Sequence, residues 1–198
     1  MIVYYSFMRV KDENKNDAIF NATIDLLNEI GFSDISMSKI AKRAGVSPST
    51  IYVYFDNKDD MLKKTYLYVK SKMLESLEGI LDSGMEVRET IALLMRTLLT
   101  YLLENRSYFL FAEQFDNSPL LSKLCLKNDA GHLMSVYYDY VNQAKAGGIL
   151  KPVDTALLIA YCYYPVAHLV KEYLADNEPV AADLIDQAVE LSWQAIKA

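Results

Sequence analysis

The chain has 198 residues, 52% of them hydrophobic, with 20 Lys/Arg against 26 Asp/Glu and a formal net charge of −6. That length fits one or two domains with a substantial core, and no apolar run reaches membrane-spanning length. The opening MIVYYSF is too short for a secretory leader and lacks its basic start, and no repeat or low-complexity segment is present.

The charge is uneven. Residues 1–72 carry 11 Lys/Arg and 9 Asp/Glu, net +2, whereas 73–198 carry 9 and 17, net −8. Any nucleic-acid affinity therefore rests on a few well-placed cations in the first part and falls with salt. The acidic remainder keeps the other end of the molecule off DNA.

Met8 is an alternative natural start, because the polar arm RVKDENKND follows it; residues 1–7 otherwise form a small exposed strand or a dimer contact. Asp12 or Asn16 starts a first helix whose stripe is Ile19, Ala22, Leu26 and Ile30, closed by Gly31.

Residues Ser36 to Lys58, SMSKIAKRAGVSPSTIYVYFDNK, then hold two short helical patterns around a glycine turn. Ser36 suits a helix start, and Met37, Ile40, Ala41 and Ala44 recur at three- and four-residue spacing, so one face packs inward. Gly45 supplies a left-handed stop, Val46 plugs the turn, and Ser47-Pro48 restarts the chain with a capping hydroxyl and a proline at the first helical position. A turn of about three residues is what a helix-turn-helix uses.

In the second helix, steps of about 100° put Pro48, Ile51 and Phe55 on one side and Ser49, Thr50 and Val53 on the other, flanked by Tyr52 and Tyr54. Small side chains let a helix sit deep in a major groove about 12 Å wide, where Ser and Thr bond to base edges and Val touches a thymine methyl. The flanking tyrosines are placed for phosphates. Lys58 comes where the next helix begins, so its charge and that helix's amides would face the DNA backbone, with Lys39, Lys42 and Arg43 adding charge one helix earlier. A capped hairpin in an ordinary all-α protein is the competing reading of these residues.

The fourth helix is expected from Lys58 to about Leu81, with Leu62, Tyr66, Val69, Met73, Leu77 and Ile80 at the helical period, and Asp59-Asp60 offsetting the dipole at its start. Five more follow at Val87 to Leu103, Tyr108 to Phe115, Leu120 to Ala146, Thr155 to Leu174 and Val180 to Ile196. Breaks fall at Ser83-Gly84, Asn105-Arg106, Ser118-Pro119, Gly147-Gly148 with Pro152, and Asn177 with Pro179. Pro165 interrupts the penultimate helix and should bend it.

From Asn14 to about Lys72 the chain resembles the tetracycline-repressor (TetR) family. The resemblance rests on Ala18 through Leu27 to Gly31-Phe32, Ile40-Ala41, Ala44-Gly45-Val46-Ser47, Thr50-Ile51-Tyr52, Tyr54-Phe55 and Asn57-Lys58. It implies an all-α fold: a three-helix head at residues 12–58 that binds DNA, then six helices at 59–198 for ligand binding and dimerisation. It also implies DNA contact by Ser36, Lys39, Ser47, Pro48, Ser49, Thr50, Tyr52, Val53, Tyr54 and Lys58, with Ile40, Ala41, Val46, Ile51 and Phe55 structural. Pro48 and Ser49 depart from the family's common Lys-Gly pair, and Val53 stands where many members carry histidine. Apolar contact and DNA shape therefore carry more of the specificity.

The last two helices hold more apolar surface than a terminal pair needs, which suits a symmetric four-helix dimer contact through Leu157, Leu158, Leu169, Leu184, Ala188 and Leu191. Tyr161, Tyr164, Val166, Ile185, Trp193 and Ile196 share those helices. The family dimerises there, so that two heads reach successive major grooves about 34 Å apart on a palindromic operator.

Aromatic residues crowd the central helices, where the family keeps an inducer pocket. Tyr101, Tyr108, Phe111, Phe115, Tyr137, Tyr138, Tyr161, Tyr164 and His168 are the candidate lining, each serving either the core or a pocket. With carboxylates such as Glu104, Glu113 and Asp139, such a cavity would suit an aromatic, amphipathic or cationic molecule. His132 and His168 are either core residues or pocket donors.

Catalytic motifs are absent: there is no GxGxxG, phosphate loop, HExxH or glycine-flanked serine, and no ligand spacing for a metal or cofactor. Cys125 and Cys162, far apart in apolar stretches, are expected as buried reduced thiols, which fits the cytoplasm. The resulting expectation is a homodimeric, DNA-binding transcriptional regulator, a repressor released by a small molecule. A small-molecule sensor acting through protein contacts is the alternative, and an enzyme using the aromatic cavity comes third.

Overall fold

The computed structural model describes residues 2–119, 124, 133–176 and 180–198, with side chains from Lys15 onward, Ala182 excepted. Within them run nine α-helices: α1 (Ile2–Asp34), α2 (Met37–Ala44), α3 (Pro48–Tyr54), α4 (Lys58–Glu75), α5 (Val87–Glu104), α6 (Arg106–Asp116), α7 (Ser135–Ala146), α8 (Thr155–Asp176) and α9 (Ala182–Ile196). No strand occurs among the described residues, only an antiparallel bridge between Leu150 and Lys197. None of these helices is long and apolar enough to cross a membrane.

Several boundaries differ from expectation. Helix α1 starts at Ile2 rather than at Asp12 or Asn16, and no Gly or Pro stands in between to stop it. Its backbone breaks at Gly31, where φ is 72°. Helix α4 ends at Glu75, short of Leu81, because the chain tightens into three-residue turns: Leu77 N donates to Leu74 O at 3.0 Å and Glu78 N to Glu75 O at 3.2 Å. The segment expected to start a helix at Leu120, with Cys125 and His132, lies largely outside the described residues, as do Asn177 and Pro179 of the last break.

The chain divides into two compact units. The first takes the chain through Lys70 and a later segment starting at Ser107; the second takes Ser71–Arg106 and the chain's end through Ala198. These compact units divide the chain after Lys70, and α6 from Ser107 onward packs within the first of them.

The reason is chemical. In the first unit, Phe109, Phe111 and Phe115 of α6 are fully buried with Ile19, Ile24 and Leu27 of α1, Ile40 of α2, Ile51 of α3, and Met61 and Leu62 of α4. Each such side chain contributes about 1.5–3 kcal/mol when removed from water. The Phe115 ring meets Phe32 and Tyr66 at centroid distances of 5.0 and 5.1 Å. Polar bonds fix the register: Asn28 Nδ2 donates to Ser107 O at 2.8 Å, Gln114 Nε2 to Asn28 Oδ1 at 2.9 Å, and Tyr66 Oη to Asp116 Oδ1 at 2.7 Å.

In the second unit the core is Ile91, Met95, Leu98, Leu99 and Leu102 of α5 against Leu158, Val166, Ala167 and Val170 of α8 and Val189 and Ile196 of α9. Helix α8 continues through Pro165, so the proline does not interrupt it. The carbonyl that loses its helical donor there, Tyr161 O, instead accepts from the buried Ser192 hydroxyl of α9 at 2.8 Å.

Candidate functional site

The two short helices of the head are set by local capping. Ser36 caps α2, its Oγ accepting from Lys39 N at 3.3 Å. Gly45, at φ 66°, closes α2 with paired bonds: Val46 N donates to Ala41 O at 3.0 Å and Gly45 N to Lys42 O at 3.4 Å. Ser47 caps α3, its Oγ accepting from Thr50 N at 3.1 Å, with Pro48 at the first helical position. Val46 is half-buried beneath the turn.

Helix α3 has two unlike faces. Ile51 is wholly buried and Phe55 nearly so, whereas Tyr52 is 58% and Val53 80% exposed. Ser47, Pro48 and Ser49 are also exposed and Thr50 and Tyr54 half-exposed, so Pro48 does not join Ile51 on the inner side as its helical angle suggests. The hydroxyls of Ser49 and Thr50 each lie 2.8 Å from Ser47 Oγ, which gathers three hydroxyls at the start of the helix.

The cations around this face are only partly available. Arg43 forks onto Glu29, with Nη1 to Oε1 at 2.8 Å and Nη2 to Oε2 at 2.6 Å, and these bonds hold the Glu29 carboxyl below its usual pKa. Lys58 Nζ donates to Phe32 O at 2.7 Å, so its ammonium caps the end of α1 rather than pointing outward. Lys39 is exposed and donates to Asp34 O at 2.8 Å, and Lys42 is exposed on the last turn of α2. The start of α4 is held by Asn57 Oδ1, accepting from Asp60 N at 2.9 Å, and by Asp60 Oδ2, accepting from Asp56 N at 3.1 Å and Lys64 Nζ at 2.8 Å. Burial raises the Asp60 carboxyl, but those donors and the charges of Lys64 and Lys63 outweigh it and hold it below the usual range.

The second unit contains an apolar chamber of about 100 Å³. Its walls include Leu74 and Leu77, Ile91 and Met95 of α5, Tyr137, Tyr140 and Val141 of α7, and Ile159, Cys162 and Tyr163 of α8; among the described residues no charged side chain lines it. Of the nine expected lining residues only Tyr137 is there. Tyr108, Phe111 and Phe115 belong to the other unit through α6, where the two phenylalanines are core and Tyr108 Oη donates to Asn21 Oδ1 at 2.9 Å. Tyr161, Tyr164 and His168 lie on the solvent side of α8, and Tyr101 and Tyr138 are half-buried outside the lining. Glu104, Glu113 and Asp139 do not line it either. Tyr140 and Tyr163, also among the aromatic residues of the central helices, line it together with Cys162, and the spacing of 162–163 from Ile159 on one helix face is a readable signal. Burial pushes the Cys162 thiol up to about 11, so it is a neutral wall at ordinary pH. Among the described residues no cluster of three or more His, Cys, Asp or Glu is arranged to hold a metal.

Helices α8 and α9 leave an apolar surface uncovered. Leu157 is 50% and Leu191 72% exposed, with Leu184, Tyr161 and Tyr164 also exposed. Leu158 does not belong to it, being buried against the unit's own core one helical step from Leu157, and Val166 and Ile196 are buried likewise. Leu169 and Ala188 are half-buried.

Residues 19–65 match the family model described as bacterial regulatory proteins, tetR family, and residues 68–198 match that of the tetracyclin repressor-like C-terminal domain. An uncharacterized HTH-type transcriptional regulator of Haemophilus influenzae is 26% identical over 192 residues, covering 96% of this chain and 100% of that one. The crystal structure of a TetR family transcription regulator from Marinobacter aquaeolei VT8 is similar at 29% identity and a TM-score of 0.86, covering 96% of this chain and 98% of that one. FadR of Bacillus subtilis, solved in complex with stearoyl-CoA, shares the fold at 22% identity and a TM-score of 0.72, covering 90% of this chain and 98% of that one.

Proposed function

We propose, from the premise that this chain belongs to the TetR family of bacterial regulatory proteins and is a helix-turn-helix transcriptional regulator, that it acts in the cytoplasm as a homodimeric repressor. In this reading the dimer binds a palindromic operator and releases it when a small molecule enters the second unit. The observation that carries the reading is the outer face of α3: Val53 at 80% and Tyr52 at 58% exposure stand beside three gathered hydroxyls, opposite a wholly buried Ile51. An apolar and aromatic pair left open on so short and well capped a helix suits a groove that covers it.

In this reading Ser49, Thr50 and Val53 meet base edges, with Pro48 and Ser47 close to them. Ser36, Lys39, Tyr52 and Tyr54 hold phosphates. Lys58 serves chiefly by fixing α1 to α4 through Phe32 O, and reaches a phosphate only by leaving that carbonyl. Exposed Leu157, Leu184 and Leu191 form the dimer contact, with Leu169 and Ala188 at its edge, and two α3 helices then fall about 34 Å apart.

The chamber of the second unit is the effector site. The bound stearoyl-CoA of FadR supports a ligand with a long apolar part for a protein of this fold. Helix α4 begins in the head and ends at the chamber wall, where Met73 and Leu74 line it. A ligand that changes the packing there shifts the heads between two arrangements, and operator and ligand weaken each other by the same factor.

A second reading, a sensor that acts through protein contacts, is favoured by one observation: Arg43 and Lys58 are both already engaged inside the head. Selection of random duplex DNA by the purified protein near physiological salt separates the two. An enriched palindrome supports the operator reading, and an unenriched pool supports the sensor.

A further inference from the structure

The apolar chamber shares Leu74, Leu77, Leu81 and Tyr137 with a wider groove of about 440 Å³ that opens to solvent. Among the described residues, the charged ones lining the groove are all acidic: Glu75, Glu78 and Asp82. Lys72, on the same turn as Glu75, matches one of them through an ion pair at 2.8 Å, so Glu78 and Asp82 set the sign of the mouth. Both are exposed and stand where the chain leaves α4 in tight turns. Tyr137 forms a wall of both spaces and donates to Leu74 O at 3.4 Å, and Tyr140 and Tyr163 add two more rings to the chamber. Burial and the Glu78 charge raise the Tyr137 hydroxyl above its usual pKa, so that wall stays neutral and its ring offers a negative face.

We propose that chamber and groove form one site for a cationic amphiphile, with the apolar tail among Leu77, Met95 and Ile159 and an amine or quaternary ammonium headgroup in the groove beside Glu78 and Asp82. The inference rests on the reading of the second unit as the effector domain and gives the effector its charge. The same carboxylates repel an anionic headgroup, so the phosphates of a coenzyme A thioester, the ligand type held by FadR, are disfavoured here.

The test is calorimetric titration of the full chain with three probes of equal tail length, all below their micelle concentrations: decyltrimethylammonium, decanol and decanoate. Decyltrimethylammonium should bind about tenfold more tightly than decanoate at low salt, a preference that two exposed carboxylates can supply and that shrinks as salt rises. In the Glu78→Gln, Asp82→Asn double variant, whose changes are exposed and isosteric, that preference should fall to about twofold or less, with decanol binding unchanged. Decanoate binding as tightly as the cation, or a preference untouched by the double variant, overturns the proposal. If none of the three binds, the effector reading of the cavity falls with it, whereas operator selection by the head stands on its own result.

Discussion

Ser192 Oγ donates at 2.8 Å to Tyr161 O, the carbonyl that Pro165 deprives of its helical partner. The bond ties α9 to α8 beneath the surface on which Tyr161 and Leu191 are exposed. Because Ser192 is buried, Ser192→Ala leaves that carbonyl unsatisfied and should cost about 1–3 kcal/mol in denaturant unfolding. In a Pro165→Ala background the helix regains its own donor, and the same substitution should cost about 1 kcal/mol less. Equal costs in the two backgrounds would separate the serine from the proline.

The exposed leucines of α8 and α9 predict a second test. The chain, 22.5 kDa by composition, should sediment at twice that mass, and Leu157→Glu with Leu191→Glu should return it to a monomer of unchanged helicity. Leu158→Glu should instead unfold the second unit, since Leu158 is core. A double variant that remains dimeric would place the interface elsewhere.

Glu29 and Asp60 give the head an acid dependence. Arg43 lowers the first carboxyl chiefly through its hydrogen bonds, and donors from Lys64 and Asp56 lower the second against the opposing effect of burial. A depressed folded pKa adds stability above the ordinary carboxylate value, and that stability is lost as pH falls through the folded value. Unfolding midpoints should therefore drop on the acid side, and the Glu29→Gln, Asp60→Asn variant should show a flatter acid limb. Glu29→Gln alone frees Arg43 and should raise affinity for arbitrary duplex at low salt, with a salt slope steeper by up to about one.

These predictions also mark what could be read from residues alone. The α2–turn–α3 element was legible because it is held by neighbours in sequence: Ser36, Gly45 and Ser47 cap their own helices within five residues. The exposure of Val53 opposite Ile51 followed from helical angle. What was not legible depends on partners far along the chain. Lys58 meets Phe32 O across 26 residues, and Arg43 meets Glu29 across 14, so neither cation's engagement is written locally. Aromatic spacing on α6 and α8 shows that a face is apolar, not what covers it: Phe111 and Phe115 went to the head's core, and Tyr161 and Tyr164 to the surface. Leu157 and Leu158 differ by one helical step and face opposite ways for the same reason.

Sequence reading by α3 is measured by the ratio of affinities for the selected palindrome and a scrambled duplex of equal composition, at one salt concentration. For the unaltered chain the ratio should reach about 10³ or more. In the Ser49→Ala, Val53→Ala variant, whose changes lie on exposed positions assigned to base edges, it should fall by at least about tenfold while affinity for the scrambled duplex stays within about threefold. A ratio near one for the unaltered chain, or a ratio that survives both substitutions, would contradict sequence reading by α3.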